Sequence, residues 1–339
     1  MGNATAGHWA PQPAPTCCSG EVFSPPGSIF LTKTSGSTAV VVAEHGQTGA
    51  VDPVIIEVAV NGATRPDRQP HVPISPDQIA ADGIACVDAG AAIVHQHDDP
   101  RAYRDLGVGP EAMGSLGMAA YAGLLSVRPD TIVYPTARFD GRTIAERWDH
   151  HRYLAEHLPA VGLGRLRMGL VDPGTVTLGN FTYGFTRDEV GYKLDACRDL
   201  GLGPSVACFE PGYIRVFLDF YAQGRVPPGS LVKFYFCAGP PLFGLPPTEA
   251  ALDLYVDLLT GTGLPWAVAV LGGDVVESGM AAWAIERGGH VRVGLEDFAD
   301  GAGRKPRNAE LVTEVAELAR RSGRGVATPA LTASLLQLP

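Results

Sequence analysis

Residues 91–100, AAIVHQHDDP, decide how the rest of this chain is read. The stretch begins as a short apolar run and ends in two histidines one residue apart. Side chains alternate across a strand, so His95 and His97 point to one side and Gln96 to the other. Two neutral imidazoles at the mouth of a buried strand are a natural pair of ligands for a divalent metal, usually zinc, and need a carboxylate to complete the set. The same spacing also arises when one histidine is hydrogen-bonded in a core and the other is at the surface, so the pair takes its meaning from its surroundings.

Those surroundings repeat. Apolar, β-rich runs fall at 54–60, 91–97, 131–136, 166–171, 205–209, 231–237, 266–271 and 290–295. A helical pattern follows each of them. The first helix is announced by Ser75-Pro76-Asp77-Gln78, with serine as N-cap and proline at the first helical position. The later helices are expected near 110–127, 143–157, 187–200, 213–223, 248–260, 276–287 and 308–322. Eight βα units in roughly 290 residues have the count and size of a (β/α)8 TIM barrel, an α/β fold. An open doubly wound sheet is the alternative.

The barrel is assigned to 53–339, and 1–52 to an N-terminal extension that is partly disordered or forms an interface. Residues 1–27 are rich in Pro, Gly and Ser without hydrophobic period, and 29–31 with 38–43 could pair as a small hairpin. His45, beyond it, reads as a loop histidine.

The chain has 339 residues, 45% hydrophobic and 18% charged, with a formal charge of −10. That balance disfavours nucleic acid and anionic membrane as partners and points to small molecules. No run reaches the ~18 apolar residues of a membrane span, and the N-terminus lacks the order of a secretory signal, so a cytoplasmic location is expected. Cys86, Cys197, Cys208 and Cys237 sit in apolar stretches and read as reduced core residues. His150, His151 and His157 fall on a polar helical pattern and read as surface residues; His71 and His290 could approach the site and receive no role.

A closed barrel makes distant residues neighbours. Strand eight pairs with strand one and strand one with strand two, which brings the end of HVRVGLED near His95 and His97. Glu296 is therefore the expected third ligand. Asp98 and Asp99, directly after the histidines, are poorer candidates because they can point outward. By parity Arg292 shares the face of Glu296, inside the barrel, where an arginine needs an anion. Either Glu296 or Asp297 satisfies it, or it also serves a substrate carboxylate.

These residues carry a family resemblance. VIIEVAVNGATRPDRQPHVPISPDQIAADGIACVDAGAAIVHQHDDP (54–100) resembles the N-terminal signature of the β-keto acid cleavage enzymes, the group containing 3-keto-5-aminohexanoate cleavage enzyme. GGHVRVGLEDF (288–298), followed by AELV and VATP, is similar to their C-terminal signature. The resemblance implies a zinc-dependent barrel, usually an oligomer such as a tetramer or dimer. It implies transfer of an acetyl unit between a β-keto acid and an acyl-CoA, with acetyl-CoA as co-substrate and acetoacetate and a new acyl-CoA as products. By the same resemblance His95, His97 and Glu296 are the zinc ligands, another divalent metal being an option, and Arg292 and Asp297 match the catalytic arginine and aspartate.

Departures from the pattern bear on the substrate. Thr64 stands where members acting on the amino-substituted substrate have an acidic residue, which disfavours an ammonium. The third strand ends Pro135-Thr136-Ala137-Arg138 in place of Ser/Thr-Thr-Gly-Gly; Arg138 either binds a substrate anion or faces solvent. Pro204-Ser205-Val206-Ala207 keeps neither acid of the Pro-Glu-x-Glu pattern, leaving Glu210 downstream. Gly174-Thr175 does match, so Thr175 either hydrogen-bonds substrate or belongs to a plain turn. Gly239 and Gly272-Gly273 offer backbone N–H groups where barrels often hold phosphate. Two other readings stay open: CoA-independent hydrolytic or retro-aldol/retro-Claisen cleavage of a specialised metabolite, and a ligand-binding barrel without activity.

Overall fold

A computed structural model describes residues 52–99, 109–139 and 141–338. The expected extension lies outside the described residues except for Asp52, as do the expected hairpin and His45. In chain order the described elements are β1 (Ile56–Ala59), α1 (Pro76–Ala89), β2 (Ile93–Gln96), α2 (Pro110–Val127), β3 (Ile132–Pro135), α3 (Ile144–Trp148), α4 (His150–Ala160), β4 (Met168–Val171), β5 (Thr175–Leu178) and β6 (Phe181–Gly184). They continue with α5 (Arg187–Leu200), β7 (Gly203–Cys208), α6 (Pro211–Ala222), β8 (Leu231–Cys237), α7 (Glu249–Leu259), β9 (Trp266–Leu271), α8 (Met280–Glu286), β10 (His290–Val293), α9 (Asn308–Arg321) and α10 (Pro329–Leu335).

Eight parallel strands run in the order β3-β2-β1-β10-β9-β8-β7-β4. This order is that of a TIM barrel and rules out the doubly wound sheet, because the first and last barrel strands pair with each other. Seven of the eight strands are buried along their whole length and β9 along all but its two end residues, as a sheet covered by helices on one face and filled by side chains on the other requires. Ser75 caps α1 with a full capping box and Pro76 opens it, as the sequence predicts. Cys86, Cys197, Cys208 and Cys237 are buried and free.

The circle is nearly closed. β3 and β4 have no ladder between them, and side chains do the work instead. Trp148 Nε1 donates to the Leu170 carbonyl at 2.8 Å, while His151 Nε2 accepts from Leu170 N at 3.3 Å. His150 Nε2–H donates to the Thr136 carbonyl at 2.6 Å. The surface reading of His150 and His151 is therefore overturned: both are fully buried, and each satisfies backbone groups at a seam where the sheet offers none. His157 is exposed as expected. His290, buried at the start of β10, accepts from Ile55 N at 3.1 Å, at the opposite end of the strand from the candidate ligands.

One element went unforeseen. β5 and β6 form an antiparallel hairpin after β4, with Leu178 opposite Phe181 and Gly179 in the left-handed region. TVTLGNFTYG carries its signature, alternating residues around a Gly-Asn turn.

Candidate active site

The two histidines arrive by different means. His95 is the third residue of β2, in register with Ala59 and Tyr134, and its Nδ1–H donates to the Tyr134 carbonyl at 3.2 Å. That bond fixes the tautomer and leaves Nε2 free as a ligand. His97 lies just beyond the strand, where Asn61 holds its backbone on both sides: Oδ1 accepts from His97 N and Nδ2 donates to His97 O, each at 2.8 Å.

Glu296 comes from beyond β10. Gly294, at φ +143°, ends that strand by pressing on the Ala59 carbonyl, which a Cβ would meet at 2.1 Å. The turn that follows anchors Glu296 N to Ala59 O at 3.2 Å. Gly62, at φ +55°, leaves the space for the carboxylate stem; a Cβ there would lie 2.2 Å from Glu296 Cγ.

The ligand atoms converge. Glu296 Oε2 is 3.5 Å from His95 Nε2 and 3.4 Å from His97 Nε2, and the candidate donors all lie within 4.8 Å of one another. Glu296 Oε2 is buried and accepts no hydrogen bond. Burial holds His95 well below the ordinary histidine range, so its ring is neutral. Burial would raise Glu296, but Arg292 and the two histidines outweigh it and hold the carboxyl well down. Two imidazoles beside an ionised carboxylate with an unused oxygen fit a divalent metal.

Beneath the three ligands is a network of buried charges. Arg292 donates from Nε to Asp297 Oδ2 at 2.8 Å, from Nη2 to Glu296 Oε1 at 2.7 Å and from Nη1 to Glu57 Oε1 at 2.9 Å. Both expected anions thus satisfy it, together with a third. Lys233 Nζ bonds Glu57 Oε1 at 3.0 Å, Tyr134 Oη at 2.5 Å and Ser205 Oγ at 2.7 Å. Tyr134 Oη–H donates to Glu57 Oε1 at 2.6 Å. Burial would raise Glu57, but Lys233 and Arg292 bring it down to about 2. Three carboxylates thus face two cations. With all three ionised the site would carry one excess negative charge, which a divalent cation would reverse in favour of an anionic ligand.

Glu57, Tyr134, Ser205, Lys233 and Asp172 were missed as site residues. Two had a readable signal. Glu57 in VIIEVAV and Lys233 in LVKFYFC are charges inside otherwise apolar strands, which a barrel buries only in pairs.

A cavity of about 1030 Å³ opens over the ligands at the C-terminal ends of the strands. His95, His97, Glu296, Arg292, Thr64 and Thr136 line it; Asp297, Arg138, Thr175 and Glu210 do not. Asp297 lies behind Arg292, where burial and the Glu296 carboxylate raise it against the pull of the guanidinium. Thr64 Oγ1 donates to the Leu295 carbonyl at 2.7 Å. Arg138 is buried, which removes the solvent-facing alternative. Thr175 is exposed on β5, and Glu210 Oε1 accepts from Gly244 N at 2.8 Å. Asp98 is buried away from the cavity, and burial pushes it up to about 7.

A family model described as beta-keto acid cleavage enzyme matches residues 53–338. The 3-keto-5-aminohexanoate cleavage enzyme of Fusobacterium nucleatum is 27% identical over 294 residues, 85% of this chain and 99% of that protein. The 3-oxoadipate:acetyl-CoA acetyltransferase of Cupriavidus necator is 28% identical over 294 residues, 85% of this chain and 95% of that one. Among solved structures, apo ObcA superposes with a TM-score of 0.60 at 18% identity over 79% of this chain. The chain spans 66% of that longer protein, and the likeness is one of fold.

Proposed function

The chain belongs to the beta-keto acid cleavage enzyme family and is an enzyme, and on that premise we propose a zinc-dependent exchange between a β-keto acid and acetyl-CoA. The acyl group of the keto acid leaves as a new acyl-CoA, and the acetyl group joins the remaining carboxymethyl unit as acetoacetate. The observation that carries the reading is the His95, His97 and Glu296 cluster opening on the cavity at the C-terminal mouth of the barrel.

His95, His97 and Glu296 would hold the zinc. Bound there, it supplies Lewis-acid polarisation of the keto oxygen and a template for the substrate carboxylate. Arg292 holds Asp297 in place through Nε and opposes the upward pull of burial on its carboxyl, leaving Oδ1, which is 3.4 Å from Nη2, as the less firmly held oxygen. Asp297 lies behind Arg292, outside the cavity lining, so as the base that the resemblance implies it would take the proton from the carbon between the keto and carboxylate groups through one water, starting attack on the thioester carbonyl. Lys233 and Tyr134 hold Glu57 against Arg292, so the guanidinium cannot swing away. Thr64 and Thr136 offer hydroxyls to the substrate from the cavity wall. The mouth carries Arg65, Arg68, Arg304 and Lys305, cations suited to the phosphates of acetyl-CoA. Arg138, Thr175 and Glu210 would support the substrate through their loops. A homo-oligomer, on the resemblance alone, and a cytoplasmic location, on the sequence expectation alone, belong to the same proposal.

The test is incubation of metal-loaded protein with a β-keto acid, with and without acetyl-CoA, and mass spectrometry of the products. Equal amounts of acetoacetate and new acyl-CoA, formed only with acetyl-CoA, are expected. Cleavage that proceeds equally well without it would contradict the proposal.

A further inference from the structure

The wall of the cavity away from the ligands has a chemistry of its own. Phe139 lies 6.0 Å from the His97 ring and 5.4 Å from Tyr183, centroid to centroid. Tyr183 meets Phe209 edge-on at 6.2 Å, and Phe209 leans on Tyr235 at 4.5 Å. Leu170, Ala207 and Leu271 line the same cavity. Phe139 and Tyr183 lead from His97 to the β5–β6 hairpin, and Phe209 and Tyr235 lead back to Arg292, which lies over the Tyr235 ring at 5.3 Å, a set of ring faces and edges that a flat π-system matches better than a flexible chain does.

Beside Tyr183 stands Asp172, directly after β4 and 2% exposed. Its Oδ2 accepts from Tyr183 Oη–H, and its Oδ1 is buried without a hydrogen-bond partner while the residue lines the cavity. A buried carboxyl oxygen left unsatisfied costs stability unless a ligand fills the vacancy.

What fills it is constrained by charge. Lys193 Nζ already donates to the Asp172 carbonyl at 3.3 Å and lies 3.3 Å from the Phe185 ring centroid. Arg147 stacks on the same ring at 4.0 Å. A ligand ammonium would face these two cations. A second ligand carboxylate would face Asp172 itself, and Lys233 is already committed to Glu57, Tyr134 and Ser205. A neutral hydroxyl meets neither objection, and it can donate or accept, so it suits Asp172 in either protonation state.

We propose that the space between Phe139, Tyr183, Phe209 and Asp172 is the acyl subsite, and that it takes an aromatic group bearing a hydroxyl at its far end. This assignment rests on the acyl-exchange reading above and names its substrate class: aryl β-keto acids. Aryl–CO–CH2–COO⁻ and acetyl-CoA become aroyl-CoA and acetoacetate, with no other reactant.

The experiment compares kcat/KM of the zinc-loaded enzyme with acetyl-CoA for 3-(4-hydroxyphenyl)-3-oxopropanoate, 3-phenyl-3-oxopropanoate, 3-oxohexanoate and 3-oxoadipate. The phenyl substrate should exceed the two aliphatic ones by at least about tenfold, and the hydroxyl should add on the order of tenfold more. Asp172→Ala should abolish the hydroxyl gain and keep the phenyl preference, which also shows that the variant is folded. Turnover of 3-oxohexanoate or 3-oxoadipate equal to or above the aryl substrates overturns the assignment and leaves acyl exchange standing, whether or not the variant folds. A hydroxyl preference that survives in Asp172→Ala overturns the role of Asp172. Turnover of none of the four overturns acyl exchange together with the assignment.

Discussion

Arg292 and Glu296 divide one carboxylate between two tasks: Oε1 receives the guanidinium Nη2 at 2.7 Å, and Oε2 is turned to the two histidines without a hydrogen bond. The arginine fixes the carboxylate and sets which oxygen is free. An Arg292→Lys variant keeps the charge but not the fork, and cannot serve Glu57, Glu296 and Asp297 together. Metal affinity should fall about 10- to 100-fold, the usual loss when a residue supporting a ligand is changed, measured by competition with a chelating dye. Unchanged affinity would mean that Glu296 is held by its backbone alone.

Gly62→Ala attacks the same ligand from the other side. Its Cβ would lie 2.2 Å from Glu296 Cγ, from a backbone at φ +55° that alanine adopts poorly. Metal binding should weaken by at least about tenfold while the unfolding midpoint changes little, since Glu296 can swing away where a backbone atom could not. Wild-type metal affinity in this variant would remove the close approach from the account.

Much of this arrangement was readable beforehand. The eight-unit alternation gives the barrel, and strand order alone brings Glu296 beside His95 and His97 across β1. What escaped has physical causes. Parity places Glu296 on the inner face, but its carboxylate reaches the histidines because Gly294 breaks the strand and the turn after it re-aims the chain. His150 and His151 look solvated because helix 143–157 is polar around them; their burial depends on a missing β3–β4 ladder, which no local pattern announces. Glu57 and Lys233 are 176 residues apart, and only barrel closure makes them partners.

The buried pair at the floor of the site gives a stability prediction. Glu57→Ala leaves Lys233 buried without the one acid it contacts and takes from Arg292 one of its three, a change that typically costs ~3–5 kcal/mol. Urea unfolding of the metal-free protein measures it. A change below about 1 kcal/mol, the range of exposed ion pairs, would mean that water solvates Lys233.

The seam histidines make stability depend on pH. Burial lowers His150 to about 4 and His151 well below the ordinary value, so the folded state keeps both neutral where the unfolded chain takes up protons. Their contribution is complete above about pH 6.5 and declines as pH falls toward 4. At pH 5, His150 alone should remove about 2 kcal/mol relative to pH 7. A His150→Gln variant should lose correspondingly less over the same interval. Equal losses in both proteins would show that other groups set the acid sensitivity.

The most direct measurement is a zinc titration of chelator-stripped protein, with activity toward a β-keto acid and acetyl-CoA followed at each point. Activity should rise in proportion to bound zinc and level off at about one zinc per chain, as a site with three protein ligands and an open position predicts. His95→Ala/Glu296→Ala protein should bind none and stay inactive. Full activity in stripped wild-type protein, or undiminished zinc in the double variant, would contradict the assignment of this cluster as the centre of the chemistry.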